Sequence, residues 1–414
     1  MTDYIPYGRQ YIDDDDIAEV VETLKSDWLT TGPGVELFEK AVCEYSGAEH
    51  GAAVSSGTAA LHALMHAVGI GEGDEVIIPT MTFAATANAV LYCGGTPVFT
   101  DVNVDTLLID IRQVEDRITN RTKAIIAMDY GGQTADYDKL RKITDRHGLI
   151  LLADACHSLG AEYKERMSGT LADASVFSFH PVKHITTGEG GMVVTNNAEY
   201  ADKVRIFRNH GISSDHWKRQ SAGTWYYEMT ELGMNYRLND IQCALGRSQM
   251  RKLPRFLKRR REIAAMYDAY FKGNEQIHPL KVGIGCSPSY HLYVIELFLQ
   301  GMGIDRQEVF TRLRNAGIGV NVHYLPVHLH PYYQQRFGTC RGMFPAAEDA
   351  YERIISLPIY PGMDDGMVDR VCNEICKAVK PELEYRRRRI FKPPKFIYED
   401  RWRVFGQVTA PITE

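Results

Sequence analysis

The chain has 414 residues, more than the roughly 250–300 at which one hydrophobic core stops growing, so its length calls for two domains. Hydrophobic residues at 44% and charged residues at 24% are ordinary globular fractions, which argues against disorder or a fibre. A formal net charge of -6 argues against an electrostatic nucleic-acid binder, and no stretch approaches the roughly 18 consecutive apolar residues of a membrane span.

The first ten residues hold no apolar leader, and the eight cysteines stand apart with no C-x-x-C pair, reading as reduced small hydrophobes. The cytoplasm is therefore the expected compartment. Asp13 to Asp16 open a helix expected to begin near Ile17, where their charges complement its N-terminus.

From residue 51 to 195 short apolar, β-branched runs alternate with helical patterns. The runs are 51–54, 75–79, 96–100, 123–130, 149–154, 174–179 and 191–195, and most lack polar alternation, as strands covered by helices on both faces do. Helices are expected at 58–68, 82–92, 109–118 and 136–147. This is the pattern of an α/β domain with a mainly parallel sheet.

After residue 251 the texture changes to a long charged helix at 255–272, a Gly/Pro-bearing stretch at 283–289, and fresh strand and helix patterns. The expected division is a large domain over 1–250, a smaller α+β domain over 251–385 and an appended tail over 386–414. The tail carries Arg386, Arg387, Arg388 and Arg389, which read as a solvated face or an intersubunit clamp and receive no function.

Three elements carry chemistry. Ser55-Ser56-Gly57-Thr58 turns a strand end directly into a helix, whose free N–H groups and dipole suit a phosphate; taken alone, a serine there is an ordinary cap. Asp154 closes the apolar run of the fifth strand, where ligands gather in open α/β sheets, and a carboxylate there can hold a proton on a pyridine nitrogen. Lys183 follows Phe177-Ser178-Phe179-His180-Pro181-Val182 and precedes the glycine-rich Gly188-Glu189-Gly190-Gly191. Burial at such a strand end lowers a lysine's pKa enough for it to attack an aldehyde and shuttle protons, although most lysines are simply solvated.

Ser-Ser-Gly-Thr-Ala-Ala-Leu, Thr-Phe-Ala-Ala-Thr-Ala-Asn-Ala, Asp-Ala-Cys-His-Ser-Leu-Gly, Ser-Phe-His-Pro-Val-Lys and Gly-Met-Asn-Tyr-Arg-Leu-Asn-Asp-Ile-Gln, in this order, resemble the DegT/StrS-type sugar aminotransferases from about Tyr7 to Val379. The resemblance implies the aspartate-aminotransferase fold, pyridoxal 5′-phosphate fold type I, with pyridoxamine 5′-phosphate as its amino-carrying form. It makes Lys183 the Schiff-base lysine and Asp154 the partner of the pyridine nitrogen. Gly57, Thr58 and Ser178 would hold the phosphate, Phe83 would stack on the ring, and His157 would stand beside it. Asn235 would reach the phosphate of a neighbouring subunit, which implies a homodimer with shared active sites.

Within the family, the Phe-Ser-Phe-His-Pro-Val-Lys-His-Ile-Thr-Thr segment and Val322-His323-Tyr324-Leu325-Pro326 resemble the branch of pseudaminic acid biosynthesis. That branch moves the amino group of L-glutamate to a UDP-linked 4-keto-6-deoxy-N-acetylhexosamine, with His323 and Tyr324 toward substrate. His184 departs from it, since those enzymes tend to have proline there. The alternatives are another nucleotide-linked keto sugar, aminated at the 3- or 4-position on UDP or dTDP, or a dehydration or elimination on the same fold. In the dehydratase relatives histidine replaces the lysine, so Lys183 speaks against that branch. His323, His328 and His330 invite a metal reading, but no cysteine or carboxylate interleaves them and Pro326 and Pro331 extend the loop, so a substrate-facing rim or packing is favoured over a metal.

Overall fold

Strands that are apolar on both sides need a layer of helices on each face, and this requirement organises the large half of the molecule. A computed structural model describes residues 4–214, 219 and 222–381. Helices α1 (Asp14–Lys25) and α2 (Pro33–Ser46) lead into β1 (His50–Val54), α3 (Gly57–Ala67), β2 (Glu75–Pro79), α4 (Ala84–Tyr92) and β3 (Thr96–Thr100). Then come α5 (Ile111–Val114), β4 (Thr122–Met128), α6 (Tyr137–His147), β5 (Ile150–Asp154), the short β6 (Glu162–Tyr163) and β7 (Arg166–Met167), β8 (Ala174–Ser178), β9 (Gly191–Thr195) and α7 (Ala198–Phe207). The remainder is α8 (Asp240–Phe271), β10 (Ile277–Pro279), β11 (Cys286–Ser287), β12 (Tyr293–Leu297), α9 (Arg306–Asn315), α10 (Pro331–Phe337), α11 (Pro345–Arg353), β13 (Ile354–Leu357) and α12 (Asp365–Ala378).

Seven strands pair in the order β1-β9-β8-β5-β4-β2-β3. The run from β8 to β3 is parallel, while β9 is antiparallel to both of its neighbours. Alternation along each strand divides its side chains between two cores. Ile78, Ile126, Leu152 and Val176 pack with α3 and α4 on one face, and Ile77, Ile125, Leu151 and Phe177 pack with α2 and α6 on the other. Ile77 and Ile78 are both fully buried, each stabilising the sheet by about 1.5–3 kcal/mol of transfer free energy. Register sets Met128 beside Asp154 and Asp154 beside Val176, so the carboxyl ends of β4, β5 and β8 finish along one edge.

The second half builds a separate core around the antiparallel sheet β10-β12-β13, covered by α9, α12 and the end of α8. The long helix begins at Asp240, not after Pro254 where the sequence pattern places it. The Asn239 side chain caps it, accepting from the Gln242 amide at 2.9 Å. Pro254 removes one backbone donor from the interior, and the apolar contacts of Met250, Leu253 and Leu257 hold the helix together across it. The expected division at 250/251 falls inside this helix.

Two other expectations shift. Helix α1 starts at Asp14 with Asp13 as its cap, and Asp16 is buried, accepting from Gln249 at 2.9 Å and pairing with Lys252 at 3.0 Å. The aspartates thus anchor α1 to α8 as well as meeting a helix dipole. The pattern at 109–118 resolves into the single turn of α5 and a 3-10 turn, Glu115–Arg117. The eight cysteines are free. Among the described residues no helix is long and apolar enough to cross a membrane. The tail with its four arginines lies outside the described residues.

Candidate active site

Asp154 ends β5 at the carboxyl edge of the large sheet, and its side chain is buried. Its Oδ2 accepts from the Thr86 hydroxyl at 2.7 Å and its Oδ1 from the Cys156 amide at 3.3 Å. Thr86 is itself held by Thr82 at 2.7 Å, so the start of α4 fixes the carboxylate. One strand over, Asp129 follows β4 and is fully buried. It accepts from Ser158 Oγ at 2.6 Å, the Tyr137 hydroxyl at 2.9 Å and the Ala135 amide at 3.0 Å. Burial outweighs these donors and pushes its carboxyl up to about 7.

Lys183 stands in the turn after β8, its amide donating to the His180 carbonyl at 2.9 Å. Its amine lies 3.3 Å from Nε2 of His291. Burial lowers its pKa below the usual lysine value, while the nearby Cys156 and Asp154 work in the opposite direction. His157 packs against His291 with ring centroids 4.3 Å apart. Its Nε2 is 3.0 Å from the Tyr324 hydroxyl, and its Nδ1 is buried without a partner. Burial, then the charge of Lys183, holds His157 well below the usual histidine range, so the ring is neutral.

The start of α3 closes the other end of the cleft. The Ser56 side chain caps the helix, accepting from the Ala59 amide at 3.0 Å. At Gly57 an added Cβ would sit 2.9 Å from Ser178 Cβ, and at Gly191 one would meet the Ser56 carbonyl at 2.4 Å. Glycine at these two positions lets the Ser56–Gly57 turn close on the Ser178 side chain and on the Gly191 backbone, which brings Gly57 and Ser178 together at a helix N-terminus, with Thr58 next in the chain.

His323 and Tyr324 supply the facing wall. His323 Nδ1 is 2.8 Å from Ser356 Oγ, Tyr130 donates to the His323 carbonyl, and burial lowers the His323 pKa to about 3. Phe83 caps α4, is 55% exposed, and lies with its ring 5.7 Å from that of Tyr324. Asn235 is exposed and bridges to Asn209, next to Tyr236, whose carbonyl accepts from Ser55. His328 turns away from the cleft, between Thr80 at 2.7 Å and Glu348 at 3.0 Å, and His330 caps α10. Among the described residues no group of three or more His, Cys, Asp or Glu side chains is placed to hold a metal.

Sequence reasoning assigns no role to Thr86 and His291 in the cleft, nor to the buried Asp129 one strand over from Asp154. Thr86 sits three positions after Phe83 inside the Thr-Phe-Ala-Ala-Thr-Ala-Asn-Ala motif, so its spacing offers a signal. Asp129 directly follows an apolar strand, while Asp154 is the last residue of its own. His291 offers none: it lies in an irregular loop, 108 positions from Lys183.

Residues 10–376 match the DegT/DnrJ/EryC1/StrS aminotransferase family. The chain is 42% identical over 379 residues to the spore coat polysaccharide biosynthesis protein SpsC of Bacillus subtilis (strain 168), covering 91% of this chain and 97% of that one. PseC of Helicobacter pylori, an aminotransferase involved in the biosynthesis of pseudoaminic acid, has a similar structure, with a TM-score of 0.85 at 36% identity over 91% of this chain and 99% of that one. Spr1654 of Streptococcus pneumoniae, a proposed sugar aminotransferase, matches in its PMP-form with a TM-score of 0.85 at 31% identity, over 91% of this chain and 99% of that one. Its PLP-form matches at 0.84. The chain belongs to the DegT/DnrJ/EryC1/StrS aminotransferase family.

Proposed function

We propose that the protein is a pyridoxal 5′-phosphate-dependent aminotransferase that moves the amino group of L-glutamate to a nucleotide-linked keto sugar, specifically a UDP-linked 4-keto-6-deoxy-N-acetylhexosamine. The observation that carries this reading is one cleft at the carboxyl edge of the sheet in which the Lys183 amine, the buried Asp154 carboxylate and the glycine-lined start of α3 converge. The PLP- and PMP-forms of Spr1654 support the cofactor, and the likeness to PseC supports the sugar.

The residues present fit such a group. The absence of a side chain at Gly57 leaves a cradle at a helix N-terminus for a phosphate, with Thr58 and Ser178 beside it. Asp154, fixed by Thr86, would keep a ring nitrogen protonated. His157 has an unpartnered Nδ1 to offer, and Phe83 an exposed ring to stack. When bound, pyridoxal 5′-phosphate supplies an aldehyde that takes up an amino group and a ring that spreads the charge left when a proton departs from carbon. Lys183 Nζ would hold the cofactor and, once free, carry that proton as general base and then as general acid. His323 and Tyr324 would face the sugar, and Asn235 would complete the partner subunit's phosphate site in a homodimer. We read the chain as a large cofactor-binding domain and a smaller C-terminal one joined through α8.

The test is incubation of the purified protein with L-glutamate and a small panel of keto sugar nucleotides. Glutamate-dependent 2-oxoglutarate with an aminated 4-keto sugar is expected. Release of ammonia would point to elimination, and amination of a different sugar would redirect the substrate.

A further inference from the structure

The His291 ring is placed by backbone contacts on both sides. It follows Tyr290, whose φ of 49° lies in the left-handed region, and the loop is clamped onto the turn at Gly131 and Gly132. The Ser289 amide donates to the Gly132 carbonyl at 2.9 Å, and the Leu292 amide to that of Gly131 at 3.1 Å. A Cβ on Gly132 would fall 2.7 Å from the amide nitrogens of both Tyr290 and His291, so glycine is what permits this approach. From behind, the Arg260 guanidinium donates to the Tyr290 carbonyl at 3.1 Å and to that of His291 at 3.4 Å.

The amine that this ring meets stands in a crowded electrostatic setting. Asp154 and Cys156 face it from the end of β5, His157 from the turn beyond, His184 from the next position in the chain, and His323 from the opposite wall, where the Tyr324 hydroxyl meets His157. Arg260 lies behind His184 and His291. Burial holds His157, His184 and His291 well below the usual histidine range, so all three are neutral. A neutral imidazole has one acceptor nitrogen. With Nε2 toward an ammonium, the proton of His291 sits on Nδ1, which is buried and unpartnered.

We propose that His291 is the positioning residue for Lys183: whenever that amine is free of the cofactor, Nε2 of His291 accepts one of its N–H bonds and keeps it in the cleft beside Asp154 and Cys156. This deepens the reading of Lys183 as the cofactor-carrying lysine and rests on it. No proton changes owner in this contact. The hydrogen bond favours the ammonium and directs the amine, so a freed lysine returns to a fixed place without a search through rotamers.

The experiment measures the amine directly. In the cofactor-free chain, acetic anhydride labels Lys183 in proportion to its neutral fraction, read by peptide mass analysis from about pH 6 to about pH 11. His291→Phe fills the space without an acceptor, and His291→Leu repeats the test should the larger ring not fit. Either should move the labelling midpoint toward acid by about one pH unit, a tenfold gain in neutral amine below the midpoint. His291→Gln, whose amide oxygen accepts, should return the midpoint most of the way. In parallel, capture of pyridoxal 5′-phosphate by the cofactor-free chain, followed by visible absorption at a pH above both labelling midpoints, where the amine is neutral in each chain, should slow about tenfold in His291→Phe and recover in His291→Gln. An unmoved midpoint in a folded Phe or Leu variant overturns the proposal, as does a Gln variant displaced as far as they are. If the native chain captures no cofactor, the reading of Lys183 fails, while the labelling profile still decides the contact with His291.

Discussion

Asp154, Ser178 and Gly57 reach the cleft on the strands and helix start of a single sheet, whereas His291, His323 and Tyr324 reach it on loops from the second half of the chain. The floor is placed by hydrogen-bonded register, which fixes Asp154 against Met128 and Val176. The wall is placed by individual contacts, such as Arg260 with the Tyr290 carbonyl and Tyr130 with the His323 carbonyl. The floor therefore suits groups that must not move relative to one another, and the wall suits groups that adjust how a floor residue is presented.

That contrast can be broken by substitution. The largest effect belongs to the floor: Lys183→Ala should lower turnover with L-glutamate and a keto sugar nucleotide by at least 10²–10⁴-fold, roughly the range of general acid–base groups, and abolish the visible band of bound cofactor. A yellow variant with normal turnover would remove Lys183 from the chemistry. Asp154→Asn keeps the Thr86 contact but loses the charge, and should cost about 10²-fold in turnover. Equal rates for that variant and the native chain would mean that no ring nitrogen depends on this carboxylate.

The wall should respond less. Arg260 is 1% exposed and donates to the Tyr290 and Ile359 carbonyls, the latter at 2.9 Å. Arg260→Leu leaves those acceptors buried and unmet, which should reduce stability by about 2 kcal/mol in denaturant titration and turnover by about tenfold through a loosened His291. A variant as stable and as active as the native chain would show that the wall does not need this support.

Asp129 tests whether every buried carboxylate at the strand ends serves chemistry, and its variant should change turnover least, within a few-fold. Its carboxyl is raised to about 7 from an ordinary 3.8, so between about pH 4 and pH 7 the folded chain keeps a proton that the unfolded chain has lost. Its contribution to stability is then greatest at low pH, falls as pH rises through that window, and is level above it. Asp129→Asn should remove this decline, which unfolding midpoints at about pH 4.5 and about pH 7.5 would reveal. Parallel pH curves for the two chains would contradict the burial argument.

The floor was legible because its residues lie inside contiguous patterns. An apolar run with no polar alternation marks β5 to within one residue, and Asp154 is the polar residue that closes it. Lys183, Ser178 and Gly57 sit in motifs whose glycines have steric reasons visible in the fold. The wall was legible only in part. His323 and Tyr324 share a recognisable segment, but His291 is brought to Lys183 by the packing of a loop on Gly131 and Gly132, a long-range event with no local periodicity. The start of α8 escapes for a different reason: the charged pattern marks only 255–272, while the segment before it carries Gly246 and Pro254, and tertiary contacts keep it helical.

Helix α8 has a mechanical consequence. Its N-terminal stretch as far as Leu257 is embedded with Cys243, Leu253 and Leu257 under the large sheet, and the rest with Ile263, Tyr267 and Phe271 under the small one. Neither core can melt alone without stripping apolar side chains from a rod shared with the other. Heating should accordingly give a single calorimetric peak, and two resolved peaks would mean that the rod snaps at Pro254 before either end lets go.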